Sequence, residues 1–136
     1  MTPNNLYGWG FLLQTVLLIS LGAVIGANLR YFVAQYAAKL IPSSFPFGTL
    51  IINFSASLIL GFFLIWTSER VLADPRWRLF IAVGFCATYS TYSSYAFETF
   101  ALFEKGQWAL AALNILGSNV ICFIAVILGA VLARSI

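Results

Sequence analysis

The chain has 136 residues, 62% of them hydrophobic and 8% charged, with no histidine. A soluble domain carries charge on about a quarter of its residues, so this composition excludes an ordinary globule and indicates an all-α membrane protein. The net charge of +3 is small and scattered, with no basic cluster of the kind that grips nucleic acid.

Charged residues divide the sequence into four uncharged runs, 1–29, 40–68, 79–97 and 106–133. Each can hold the ~20 apolar residues that cross a bilayer. The whole chain, 1–136, therefore reads as one membrane domain of four spans with short connections. The opening run has no basic start, because Thr2, Asn4 and Asn5 are polar but uncharged, and it does not read as a signal peptide. With four spans, Arg70, Arg76, Arg78 and Arg134 fall on one side, and Arg30, Lys39 and Lys105 on the other. That balance leaves almost no positive-inside bias. It suits either a small protein oriented by other cues or one that inserts both ways and pairs antiparallel.

The first span, about 12–37, contains Gly22-x-x-x-Gly26, which puts two glycines on one face and lets a neighbouring helix approach closely. Arg30 follows by one turn. It either snorkels to the interface or is tied to carbonyls at a helix end, and both roles are structural. The stretch 41–48 has two prolines and a glycine and breaks the chain before the second span. That span, about 48–66, carries Thr49, Asn53 and Ser57 at i, i+4 and i+8, one stripe of a helix. Polar stripes usually join helices, at roughly 0.5–2 kcal/mol per hydrogen bond, which suits Thr49 and Ser57. Asn53 stands apart, because a primary amide is costly in lipid and offers two N–H donors to an anion.

Asp74-Pro75 punctuates the next loop, and Trp77 sits at the expected interface. The third span, about 78–103, holds eight consecutive hydroxyls: Thr88, Tyr89, Ser90, Thr91, Tyr92, Ser93, Ser94 and Tyr95. A helix turns about 100° per residue, so eight in a row cover its circumference. A lipid-facing helix would aim several of them into hydrocarbon, where nothing satisfies them. The tract therefore predicts a segment enclosed by protein, unwound, and lining a polar path. Carbonyls freed by such a break are good ligands for a hard cation such as Na⁺. Tyr89, Tyr92 and Tyr95 recur every third residue, a spacing that suits a helix face or a tight turn, and Glu98 is one step further along.

The fourth span, about 108–133, repeats the stripe with Asn114, Ser118 and Cys122, while Asn119 lies about 100° off it and is read as facing a neighbour. Gly117 and Gly129 allow close packing. Cys86 and Cys122 have neither a CxxC pair nor a histidine partner and read as buried packing residues. With no histidine, and Glu98 the only carboxylate within a span, acid–base or nucleophilic catalysis has little to work with. The chain is not expected to be an enzyme.

Three stretches then read together. Gly22-Ala-Val-Ile-Gly26-Ala-Asn-Leu-Arg30-Tyr31, then Phe47-Gly48-Thr49-Leu-Ile-Ile-Asn53 with Gly61 beyond, then Gly84-Phe85-Cys86 through Ser93-Ser94-Tyr95-Ala-Phe-Glu98, resemble the Fluc/CrcB fluoride channels in order and spacing. The resemblance implies an antiparallel, dual-topology homodimer of four-helix subunits in the bacterial plasma (inner) membrane, with the third helix broken mid-membrane. It implies two pores at the subunit interface that export fluoride, and a structural Na⁺ at the dimer centre held by the carbonyls of Ala87 and Ser90. Asn53 takes the place of the pore amide, and Tyr92 and Tyr95 that of two aromatics whose positive ring edges face fluoride. Ser90, Thr91, Ser93, Ser94 and Ser118 form a polar track. Thr49 and Asn114 complete the pore set, and Gly22, Gly26, Arg30 and Glu98 take structural roles.

The chain departs from the family where two phenylalanines appear as Tyr92 and Tyr95, a Gly-Gly pair as Ala87-Thr88, and a fourth-span tyrosine as Asn114. Ring edges and hydroxyls are thus both available at Tyr92 and Tyr95. Two other readings remain. A small dual-topology drug/proton antiporter shares the length and span number but wants a carboxylate in the first span, which has none. A non-conducting partner subunit of a heteromeric channel would pack against its neighbour without needing so many hydroxyls.

Overall fold

The computed structural model describes residues 4–69 and 74–136, with side chains described from residue 8 onward. Thr2 and Arg70, counted above, lie outside the described residues, as do the side chains of Asn4 and Asn5. Helix is the only regular structure among the described residues. The long helices are α1 (Asn4–Leu40) and α2 (Phe47–Glu69). A bent pair follows: α3 covers 75–89, its middle stretch Arg78–Cys86 wound as a π-helix, and α4 is Tyr92–Glu104. The chain ends in α5 (Trp108–Ser135). Helices α1, α2 and α5 are long and apolar enough to cross a membrane. They contain the expected spans and run a few residues past them, whereas the expected 78–103 span is split at Ser90 and Thr91.

Local chemistry sets these boundaries. Asp74 caps α3, its carboxylate accepting from the Arg76 N–H at 2.9 Å, with Pro75 in the first turn where its missing N–H costs nothing. Helix α4 ends in a Schellman turn. Gln107 N–H reaches Leu102 O at 2.9 Å, Gly106 N–H reaches Phe103 O at 2.9 Å, and Gly106 adopts φ +71°, a conformation open to glycine without strain.

The packing is inverted relative to a soluble bundle. Large apolar side chains such as Leu17, Phe32, Leu116 and Phe123 point outward, while the core is small, centred on Ile52, Ala56 and Tyr89. Close helix approach replaces a large apolar core. A Cβ on Gly22 would strike the Phe80 carbonyl and Phe85 amide of α3, and one on Gly26 would strike the Phe85 carbonyl and Thr88 hydroxyl. The small-residue face expected from Gly22 and Gly26 therefore meets α3. Gly61 lies equally tight against Val126, and Gly129 against Leu58 and Phe62, joining α2 to α5. Gly117, expected to do the same, meets only its own helix's Leu113 at 3.8 Å.

Side-chain bonds identify the two ends of the bundle. Glu69 pairs with Arg134 at 3.0 Å and Thr67 accepts from Arg78 at 3.2 Å, gathering the C-termini of α2 and α5 beside the start of α3. At the opposite end Gln107 donates to Ser44 at 3.4 Å, linking the α4–α5 turn to the α1–α2 loop.

Candidate functional site

Helix α3 stops because Ser90 turns to an extended conformation (φ −70°, ψ 159°), and Thr91 is extended too (φ −151°, ψ 117°). The hydroxyls finish both helix ends. Ser90 Oγ donates to Cys86 O at 3.0 Å, and Thr91 Oγ1 caps α4 by accepting from Ser94 N at 3.2 Å. Ser93 and Ser94 Oγ lie 3.3 and 3.0 Å from the same Thr91 hydroxyl. Much of the hydroxyl tract thus serves the break itself.

Asn53, on the facing side of α2, holds the break open. Its Nδ2 donates to Thr91 O at 3.1 Å and its Oδ1 accepts from Thr91 N at 2.8 Å. One carboxamide thereby satisfies both backbone groups of Thr91, and Nδ2 keeps a second hydrogen. In a continuous helix Thr91 N–H would donate to Ala87 O, and Ser94 N–H to Ser90 O. Here those donors go to Asn53 and to the Thr91 side chain. The carbonyls of Ala87 and Ser90 have lost their helical donors.

Beside the break lies a cleft of about 240 Å³. It is lined by Asn53 and Ser57 of α2, by Ser90 and Thr91 at the break, by Tyr92 and Tyr95 of α4, and by Ser118, Asn119 and Cys122 of α5. The rings of Tyr92 and Tyr95 are 5.5 Å apart and tilted by 48°. Asn119 donates to the Tyr95 hydroxyl at 3.1 Å and to its own helix's Ile115 O at 2.6 Å.

The structure thus brings Asn53, Ser90, Thr91, Tyr92, Tyr95 and Ser118 together, with Ser93 and Ser94 at the adjoining cap. Other expected residues lie elsewhere. Asn114 is buried between α4 and α5, where it donates to Thr99 at 2.8 Å and accepts from Ser118 at 2.9 Å. Thr49 donates to Glu98 Oε1 at 2.8 Å, and both residues line a separate cleft of about 250 Å³ beside the 41–48 loop. Glu98 Oε2 is buried with no hydrogen-bond partner among the described residues. Arg30 is half-buried on α1, and Gly22 and Gly26 are packing residues away from the cleft.

Of the helix face and the tight turn that suited the three regularly spaced tyrosines, the helix face is not formed, because the turn at Ser90 and Thr91 parts Tyr89 from the other two. Tyr89 is buried in α3, bonded to Ser55 at 2.9 Å and stacked on Phe85, while the break re-aims Tyr92 and Tyr95. Nor is the hydroxyl tract enclosed on all sides by this chain, because Tyr92 is 78% exposed and Ser93 is exposed as well. Asn119, expected to face a neighbour, does bond to Tyr95 of α4, and its place in the lining of the cleft is what sequence reasoning missed. Its place one residue after Ser118, a turn before the Cys122–Phe123 pair, was the available signal.

An apolar exterior, three helices able to cross a bilayer and a cleft with amide and hydroxyl groups at a helix break define a multi-pass membrane protein. The profile of the family described as CrcB-like protein, Camphor Resistance (CrcB), matches residues 17–130, and the chain belongs to that family. It is 48% identical over 124 residues to a fluoride-specific ion channel FluC of Koribacter versatilis (strain Ellin345), covering 91% of this chain and 98% of the relative. To a protein of the same name from Sulfurihydrogenibium sp. (strain YO3AOP1) it is 43% identical over 122 residues, covering 90% and 98%. These relatives are ion channels and not enzymes, in line with the poverty of catalytic side chains, and the chain is a multi-pass bacterial membrane protein.

Proposed function

We propose that this chain is a fluoride-selective channel subunit, and that two copies inserted in opposite orientations form a homodimer with two pores that export fluoride. The observation that carries the reading is the helix break clamped by Asn53, beside a cleft lined by amide, hydroxyl and aromatic side chains. Fluoride is small and strongly hydrated, so it enters a pore only where such donors replace its water. Asn53 offers its second amide hydrogen, Tyr92 and Tyr95 flank the cleft, and Thr91, Ser93, Ser94 and Ser118 continue the polar track. Thr49, with Glu98, and Asn114 extend that track toward the 41–48 end. The transport is passive and needs no coupled carboxylate cycle. In this arrangement α3 and α4 together supply the fourth crossing.

The dimer is supported by what one copy leaves uncovered. Tyr92 and Ser93 are exposed beside an apolar exterior, where lipid would leave the Tyr92 hydroxyl without a partner and a second copy would cover both residues. The near-equal charge at the two ends favours insertion both ways. A structural Na⁺ at the dimer centre fits the chemistry of the break, because Ala87 and Ser90 present carbonyl oxygens that have lost their helical donors. Bound there, Na⁺ supplies a fixed positive charge. The residues of this chain do the rest: Asn53 and Thr91 hold the break open and leave its carbonyls without their helical donors.

Purified protein in liposomes is the test. The expected result is fluoride efflux without chloride efflux and without proton-coupled uptake of lipophilic cations. Proton-coupled cation uptake would identify a small antiporter instead. No flux from the chain alone, restored by a second subunit, would identify a partner subunit of a heteromeric channel.

A further inference from the structure

We infer that Tyr95 meets the permeating anion through its hydroxyl hydrogen rather than its ring edge, and that Asn119 is the positioning residue that aims it. The inference rests on the function proposed above and deepens it by assigning a specificity-determining contact.

Asn119 of α5 reaches both its own helix and α4. Its amide lies 2.6 Å from Ile115 O, and a carbonyl oxygen only accepts, so the amide nitrogen and not its oxygen faces that group. The same nitrogen lies 3.1 Å from the Tyr95 hydroxyl. Its two hydrogens are therefore committed, one to Ile115 and one to Tyr95. The Tyr95 oxygen accepts, and its own hydrogen is left for another acceptor. Tyr95 and Asn119 line the same cleft as Asn53, whose amide has a hydrogen beyond the one given to Thr91. Accepting a hydrogen bond polarises the phenol and strengthens it as a donor. The backbone beneath is held as well, since Thr99 Oγ1 donates to Tyr95 O at 2.7 Å.

An anion in this cleft meets an aimed O–H as well as an amide N–H. A charge-assisted O–H bond is shorter and stronger than contact with a ring edge. Fluoride, the smallest halide and strongest acceptor, gains the most from it, and chloride gains less. Replacing a family phenylalanine by tyrosine thus changes the chemistry of recognition at that position.

The experiment measures fluoride and chloride efflux from liposomes for wild type, Tyr95→Phe, Asn119→Leu and the double variant, each checked for assembly by size exclusion. Tyr95→Phe keeps the ring and removes only the hydroxyl. The expected result is a fall in fluoride flux of roughly tenfold or more, the scale of a hydrogen bond to a charged group, with a reduced fluoride-to-chloride ratio. Asn119→Leu is expected to lower the flux in the same direction, and to add no further loss in the Tyr95→Phe background, because Asn119 acts through Tyr95. Wild-type flux from Tyr95→Phe would overturn the inference, and that variant alone decides it should Asn119→Leu fail to assemble. Losses that multiply in the double variant would overturn the role of Asn119. A wild-type protein that passes no fluoride would remove the proposed channel function and this contact together.

Discussion

A carboxamide bonded to both backbone groups of one residue does what a neighbouring strand does for an extended segment. Asn53 does this for Thr91, so the side chain that faces the cleft is also the one that keeps the cleft open. Removing it orphans a partly buried N–H and a C=O. Asn53→Ala is expected to destabilise the protein by about 2–3 kcal/mol, given a cost of about 1–3 kcal/mol per unsatisfied group and partial relief by water. The measurement is thermal unfolding in detergent. Asn53→Asp separates the two bonds, since a carboxylate still accepts from Thr91 N–H but cannot donate to Thr91 O. It should fall between wild type and Asn53→Ala in stability, and equal loss from both variants would mean that the donor bond carries the clamp. The sequence made Asn53 conspicuous as an amide among apolar neighbours. It could not show that one hydrogen would be spent on Thr91, because that depends on where the tract breaks, and eight consecutive hydroxyls mark every position of 88–95 alike.

At the scale of the helices, glycine placement decides the crossings. A Cβ at Gly129 would meet the Leu58 carbonyl and the Phe62 amide, which are backbone atoms and cannot swing aside, whereas nothing lies within 4 Å of a Cβ at Gly10. Gly129→Ala should therefore cost about 1–3 kcal/mol through overpacking, and Gly10→Ala should cost nothing or gain about 0.5–1 kcal/mol in helix propensity. Equal unfolding midpoints for the two variants would contradict the close α2–α5 crossing. Gly22-x-x-x-Gly26 announced its crossing in the sequence because both glycines fall on one face. The face of α5 was harder to read: Asn114, Ser118 and Cys122 share a stripe, yet Asn114 bonds to Thr99 while Ser118, Asn119 and Cys122 reach the cleft. A polar stripe gives a direction around a helix but does not say which neighbour lies there. The π-helical stretch Arg78–Cys86 was equally hidden, since its wider winding shifts the phase of every later residue without a composition signal.

For the molecule as a whole, four uncharged runs and a nearly neutral charge balance were enough to read a polytopic membrane protein, because bilayer thickness and backbone hydrogen bonding leave so few alternatives. How copies associate was not legible from composition, since association depends on which faces one chain leaves bare. The proposed homodimer assigns that face to Tyr92 and Ser93, both exposed in one copy. The proposed antiparallel arrangement predicts that a cysteine placed at exposed Lys105, in a Cys122→Ser background, is labelled by an impermeant reagent from both sides of the membrane in comparable amounts. Labelling from one side only would exclude dual topology. The central claim is that the Asn53-clamped break is the route of fluoride. Fluoride efflux from liposomes carrying Asn53→Ala, compared with wild type at equal dimer content by size exclusion, tests it most directly. The expected result is a dimer that still assembles but passes fluoride at least tenfold more slowly, about the effect of losing 1.4 kcal/mol of stabilisation of the permeating ion. Flux equal to wild type would contradict it.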